Sequence, residues 1–263
     1  MELLPISEIK INQSKIDKID HLVKSIYRLI IYSRHHLDDD LLDIYLASVQ
    51  ELQELLSIKN AQMEAQNQEE EEEYLKNLKI SLEFVIEEIV DHTNFEKELQ
   101  LFQLLQLISP NAITTNPKHY RQTFLQIGNH IYPDKNDVSK LVSELFQQMK
   151  GITNPIIRAI YFHHELIRIN PFADGNGRVT RIAKNWMLMF DLYPPIFIKD
   201  TDQKNKYVET LNKSFNELEH SPKKWNEHTE NFFKQELDRL FINATLLYDI
   251  VNKIGEERKK TKK

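Results

Sequence analysis

Apolar positions recur along this chain at helical spacing, and the segments between them are short and polar. From residue 14 to 34, Ile16, Ile19, Leu22, Val23, Ile26, Tyr27 and Ile30 fall on one face of a helix. Further helical patterns are predicted from Tyr74 to Ile89, Phe95 to Leu107, Val138 to Met149 and Pro155 to Ile169. Proline at position 155 suits a helix start, because the first N–H groups of a helix have no intrahelical partner. Val179, Ile182, Ala183, Trp186, Met187 and Phe190 continue the helical spacing up to Tyr193-Pro194-Pro195, which ends that element. Helices are then expected from Lys206 and over 226–252. One stretch breaks the rule. Tyr120 to Pro133 alternates more than it follows a helix, and Gly128-Asn129 within it can turn a hairpin.

Composition agrees with a helical chain. Only 5 of 263 residues are glycine, and Leu, Ile, Glu, Lys and Gln are abundant. The length allows one or two domains with a full core. With no cysteine, disulfides and thiolate metal sites are excluded. A net charge of −6 supplies no general attraction to nucleic acid or anionic membrane. No apolar run is long enough to span a bilayer, and Met1-Glu-Leu-Leu-Pro5 lacks the regions of a signal peptide, so a cytoplasmic protein is expected. Glu69 to Glu73 form a run of acids that reads as a solvated helix face or loop and as a seam between an N-terminal helical region and the core. Asp38, Asp39 and Asp40, near His35 and His36, read as first-turn acids complementing a helix dipole before a segment ending at Leu56. The tail from Arg258 to Lys263 reads as a frayed, solvated end.

The chemistry is concentrated in Asn170-Pro-Phe-Ala-Asp-Gly-Asn-Gly-Arg-Val-Thr-Arg181. Gly175 and Gly177 flank Asn176, and both residue types tolerate left-handed backbone. Such a turn can aim successive N–H groups at one point and form an anion nest. The helix after it adds its own N-terminal N–H groups and partial positive charge. Arg178 and Arg181 lie three residues apart on neighbouring parts of one face. Asp174 places a carboxylate beside the nest, the usual way to hold Mg²⁺ against phosphates.

This stretch resembles the signature of the Fic family, His-x-Phe-x-Asp/Glu-Gly-Asn-Gly-Arg-x-x-Arg, except that Asn170 stands at the histidine position. The resemblance implies an all-α architecture: a Fic-type helical core with one small β-hairpin flap and an N-terminal helical extension. The corresponding division is 1–73 for the extension, 74–240 for the core, and 241–263 for a C-terminal helix and basic tail. It implies transfer of AMP from ATP to a hydroxyl of a target protein. Asp174 would hold Mg²⁺; Gly175, Asn176 and Gly177 would form the anion hole for the α- and β-phosphates. Arg178 would contact the β-phosphate and Arg181 the γ-phosphate, with Phe172 as a buried anchor. Tyr207 is a candidate for stacking on adenine, with core packing as its plain alternative. The hairpin around Tyr120–Tyr132 would dock the target's backbone as an added strand.

Family members carry a histidine as general base, and a carboxamide has no comparable basicity near neutral pH. Catalysis as written is therefore expected to be impaired while the phosphate site persists. His163 and His164 lie about 9–10 Å along the same helix, too far for direct proton transfer, and read as satisfied polar groups on a packed helix. An inhibitory Ser/Thr-x-x-x-Glu-Gly/Asn helix is matched weakly by Asn60 to Ala65, with Glu64 as the residue that would pair with Arg181. The alternatives are a nucleotide-binding pseudoenzyme or protein-interaction module, or transfer of another nucleotide or of phosphocholine. The family also includes homodimers.

Overall fold

The computed structural model describes residues 1–37, 65–113, 119–127, 130–198 and 200–261, with backbone only for 30–37, 127 and 254–261. Eight α-helices appear among them: α1 (Gln13–Leu37), α2 (Gln68–Val90), α3 (Glu98–Ile108), α4 (Lys135–Met149), α5 (Pro155–Ile169), α6 (Asn176–Phe190), α7 (Thr201–His220) and α8 (Glu227–Thr261). The fold is all-α, as the apolar spacing requires. The alternating segment forms a much shorter hairpin than its length invites. Only β1 (Gln126–Ile127) and β2 (His130–Ile131) pair, antiparallel, with Gln126 opposite Ile131 and Ile127 opposite His130. The Gly128-Asn129 tip lies outside the described residues.

Helices α5 and α6 pack against each other at the centre, with α4, α3, α2 and α7–α8 around them and α1 lying along α8. Helix α5 is buried along most of its surface, including the polar residues His163, His164, Glu165 and Arg168. Its start is fixed by Pro155 and by Asn154, whose Oδ1 accepts the Ile157 N–H at 3.0 Å. Its end is fixed by Asn170, which takes the left-handed conformation (φ 49°, ψ 65°) while its N–H still donates to the Leu166 carbonyl. Between α2, α4, α5 and α6, Phe95 packs against Phe146, Phe162 and Trp186 at ring separations of 5.8, 5.2 and 5.5 Å. The Trp186 indole N–H donates to the Thr93 carbonyl at 3.0 Å, so the largest core side chain carries no unmet polar atom.

Two expectations change, and one reading is narrowed. The acids Glu69–Glu73 form a solvated helix face rather than a loop: they lie in the first turns of α2, whose N-cap Asn67 accepts the Glu70 N–H at 2.9 Å. The helix then runs unbroken to Val90, burying Leu78, Leu82 and Val85, because three first-turn acids complement its dipole. The basic tail is helical through Thr261 rather than frayed, as a continuation of the long helix α8. Helix α7 starts at Thr201, five residues before Lys206, because Asp200 caps it by accepting the Gln203 N–H at 2.8 Å. Asp38–Asp40, the segment to Leu56, and Asn60 to Glu64 lie outside the described residues, as do the side chains of His35 and His36.

Phe95 is fully buried, so Phe95→Ala should lower unfolding free energy by about 3–5 kcal/mol, with the secondary structure kept. Urea titration followed by circular dichroism measures this; a loss below about 1 kcal/mol would show that the aromatic cluster is not the centre of the core.

Candidate nucleotide site

The loop 170–175 joins the two central helices, and it is folded by its own side chains. Asn176 closes it on both sides: Nδ2 donates to the Phe172 carbonyl at 2.8 Å and Oδ1 accepts the Phe172 N–H at 2.9 Å. Phe172 is buried, with its ring against Tyr120 and Phe102, the anchoring place expected for it. Gly175 begins α6 at φ 78°, and a Cβ there would lie 2.7 Å from the Ser109 Cβ, so both backbone and space require glycine. The next N–H groups, of Asn176, Gly177 and Arg178, belong to the first turn of α6 and have no intrahelical acceptor. They open on a cavity of about 570 Å³, a volume suited to a nucleotide.

The structure brings Asn170, Asp174, Gly175–Arg178, Arg181 and Tyr207 to this one cavity. Arg181 sits beside the nest, its Nη1 3.1 Å from where a Gly177 Cβ would be. Arg178 faces Asp174: Nη2 donates to Oδ2 at 2.8 Å, and the guanidinium lies 3.9 Å from the Tyr74 ring centroid. The Ser109 hydroxyl donates to the same Asp174 oxygen at 2.6 Å. Partial burial pushes the Asp174 carboxyl upward, but Ser109, Arg178 and the Gly175 N–H outweigh it and hold it below the usual carboxylate range. Among the described residues no cluster of three or more metal-ligating side chains exists. A lone ionised carboxylate, half exposed at the cavity, fits a cation that arrives with phosphates rather than a protein-built cage.

Asn170 is 8% exposed, and its side chain faces the Tyr132 phenol, whose pKa burial pushes upward. Neither group is a base near neutral pH. The two upstream histidines are fully buried and engaged elsewhere. His164 contacts Glu165 Oε1 at 2.8 Å and Ser214 Oγ at 2.9 Å, while His163 Nε2 meets the Tyr207 hydroxyl at 2.8 Å. Tyr207 both packs in the core and lines the cavity, so its two readings are not exclusive.

Sequence reasoning missed Ser109, Tyr74, Arg121 and the buried ion pairs. Arg121 is 1% exposed and its guanidinium donates to three carbonyls, those of Asn170, Thr123 and Pro133, at 2.9, 2.9 and 2.5 Å. Its backbone N–H donates to the Pro171 carbonyl at 2.8 Å. The hairpin is thereby fastened to the loop, and Leu125 and Tyr132 reach the cavity from it. Beside α5, Glu236 accepts from Lys184 Nζ at 2.6 Å and Arg239 Nη1 at 2.5 Å. Glu165 accepts from Arg168 at 2.6 Å and from the Leu4 N–H at 3.2 Å. Ser109 sits against a proline in an unremarkable loop, and nothing in its sequence context marks it. No helix among the described residues is long and apolar enough to cross a membrane.

Residues 97–188 match the model of the Fic/DOC family. It is 27% identical over 146 residues to the protein adenylyltransferase Fic of Culex quinquefasciatus, covering 54% of this chain and 29% of that protein. With the protein adenylyltransferase Fic of Drosophila persimilis it shares 34% identity over 96 residues, 35% of this chain and 19% of the other. The match thus spans less than a third of either relative's length. A Fic domain containing signaling protein from Bacteroides thetaiotaomicron superposes with a TM-score of 0.69 at 19% identity, over 89% of this chain and 97% of that one. That likeness places the helical fold.

The buried histidines predict a pH dependence. Burial and nearby Lys184 push His163 down to about 3, against the pull of Glu236, and burial also lowers His164. Both are neutral in the fold, whereas in the unfolded chain they take up protons near 6.5. The resulting stability is complete above pH 6.5 and is lost as pH falls toward the depressed folded values. Unfolding free energy should decline from pH 7 to 5, by about 1 kcal/mol per pH unit below pH 6 from His163, with His164 adding in the same direction. His163→Gln should make the slope shallower in urea titrations at stepped pH; an unchanged slope would show that His163 is protonated in the fold.

Proposed function

We propose that this Fic/DOC-type domain binds ATP with Mg²⁺ in the cavity at Asp174–Arg181 and belongs to the protein AMP-transfer chemistry of its relatives, with transfer by the chain as written impaired at Asn170. The observation that carries this reading is the conjunction of the first-turn N–H groups of α6 with Arg181 and Asp174 around one nucleotide-sized cavity. Gly175, Asn176 and Gly177 would receive the phosphates through backbone N–H groups, with the Asn176 side chain holding the loop in shape. Arg181 would meet the terminal phosphates. Arg178 would reach them by leaving its place beside Asp174, or would stay and fix that carboxylate's orientation. Mg²⁺ bound at Asp174 would offset phosphate charge. A target hydroxyl entering past Leu125 and Tyr132 would find the Asn170 carboxamide and the Tyr132 phenol as hydrogen-bonding groups, and neither removes a proton efficiently at neutral pH.

The target would be a protein docking along the hairpin, where Phe124 and Ile131 stand 67% and 56% exposed. We place the chain in the cytoplasm, without nucleic acid or membrane as partners, and with the homodimer as the assembly to test. The same site without a base also serves a second reading, a nucleotide-binding pseudoenzyme. Transfer of another nucleotide or of phosphocholine is separated from both by competition.

Calorimetric titration should show ATP–Mg²⁺ binding by the unaltered chain, and Arg181→Ala should weaken it at least about tenfold. With labelled ATP, Asn170→His should raise AMP transfer, measured as self-modification, by about 10²–10⁴-fold. Histidine tolerates the left-handed conformation needed at 170 better than most residues. Absence of ATP binding would overturn the nucleotide reading. Robust transfer by the unaltered chain would overturn impairment. Binding without any transfer, even in Asn170→His, would favour the pseudoenzyme.

A further inference from the structure

Tyr207 is one of five aromatic residues on the cavity wall, and its hydroxyl is bound inside the protein. The phenol oxygen lies 2.8 Å from His163 Nε2. On the other side of that imidazole, Nδ1 faces Glu236 Oε2 at 3.5 Å without forming a hydrogen bond, so the carboxylate acts on it through its field. Glu236 is 1% exposed and already pairs with Lys184 and Arg239. Every member of this chain of contacts except Tyr207 is removed from the cavity lining.

The proton positions follow from charge. Lys184 and Arg239 face one carboxylate, with Arg181 nearby, so a third buried positive charge on His163 would lack compensation. His163 is therefore neutral and carries one N–H. A carboxylate only accepts, so that N–H belongs on Nδ1, toward Glu236. Nε2 is left as an acceptor, and the Tyr207 hydroxyl must be the donor.

We propose that His163 is a positioning residue for the nucleotide cavity: set as its Nδ1–H tautomer by Glu236, it takes the hydroxyl hydrogen of Tyr207 and holds that ring as a fixed aromatic wall. The proposal rests on the nucleotide reading for its ligand, not for its geometry. With the hydroxyl hydrogen committed inward, Tyr207 meets a ligand as aromatic surface rather than as a donor. Such a wall grips a base by packing and does not read its hydrogen-bonding edge. Loss of the tether should thus weaken adenine and guanine nucleotides by the same factor.

The test is calorimetric titration of ATP–Mg²⁺ and GTP–Mg²⁺ into the wild type, Tyr207→Phe, His163→Phe, the double variant and His163→Gln, each first shown to be folded by circular dichroism. Either single loss of the bond should weaken both nucleotides by about 3–10-fold, the worth of one hydrogen bond. The double variant should be no weaker than the worse single variant. His163→Gln keeps an acceptor toward Tyr207 and should stay within about twofold of wild type. Additive losses, a loss confined to one nucleotide, or a His163→Gln variant as weak as His163→Phe would overturn the proposal. Imidazole ¹⁵N shifts of the nucleotide-free wild type give a reading independent of ligand. Protonated Nδ1 with bare Nε2, and an Nε2 shift that moves in Tyr207→Phe, uphold the tether; protonated Nε2 overturns it. If the wild type binds neither nucleotide, the nucleotide reading falls and these shifts alone decide the tether.

Discussion

One buried guanidinium holds the site together. Arg121 cannot reach water, so its donors must be met by protein, and they are met by carbonyls from three separate places: Thr123 before the hairpin, Pro133 after it, and Asn170 at the end of α5. Burial works against its charge, and Asp134 opposes that effect. A two-residue pair of strands has little stability of its own. It keeps its place beside the cavity because both of its ends and the loop at Asn170 share one cation. The left-handed turn at Asn170 is what points that carbonyl toward Arg121 as the helix ends.

The centre of the fold shows the same economy of charge on a larger scale. Helix α5 is buried along most of its surface, yet it carries His163, His164, Glu165 and Arg168. These polar groups are tolerable because each carboxylate is shared by several donors. Glu165 takes Arg168, His164 and the Leu4 N–H, and Glu236 takes Lys184 and Arg239. Both carboxyls are lowered despite burial, which would raise them. Such networks add less stability than an apolar core would, but they admit few alternative packings. Here one of them ends at a residue of the cavity wall, so a rigid interior is continuous with the site.

Elements with one dominant local signal were legible in the sequence. Pro155 and the apolar run after it mark α5 to the residue, and the glycines, Asp174 and the two arginines mark the nest. What was not legible depends on partners far along the chain. Ser109 gains meaning only because Gly175, with no Cβ, lets it approach; Glu236 only because Lys184 faces it across α6 and α8. The acids at 69–73 left helix face and loop open because a charge run reads equally as either, and Asn67 decides for the helix. The hairpin was overextended because the outer part of Tyr120–Pro133 is held by burial of Tyr120 and Arg121 and by the Arg121 guanidinium, while strand pairing stops one hydrogen bond beyond Gln126–Ile131, at Tyr132 N–H to Leu125.

Asn170 illustrates how position and chemistry separate. The backbone there must be left-handed, and asparagine is among the few residues that adopt this readily. Its carbonyl serves Arg121 and its N–H serves Leu166, two structural tasks any residue in that conformation performs. Only the side chain can vary in chemical role, and a carboxamide beside the Tyr132 phenol gives hydrogen bonding without basicity. On the proposed nucleotide reading, the groups that would receive phosphate belong to α6 and Asp174, and none of them passes through the Asn170 side chain. Ligand capture and proton removal would then be carried by different atoms of the same loop. A change at residue 170 would alter the second while leaving the scaffold of the first in place.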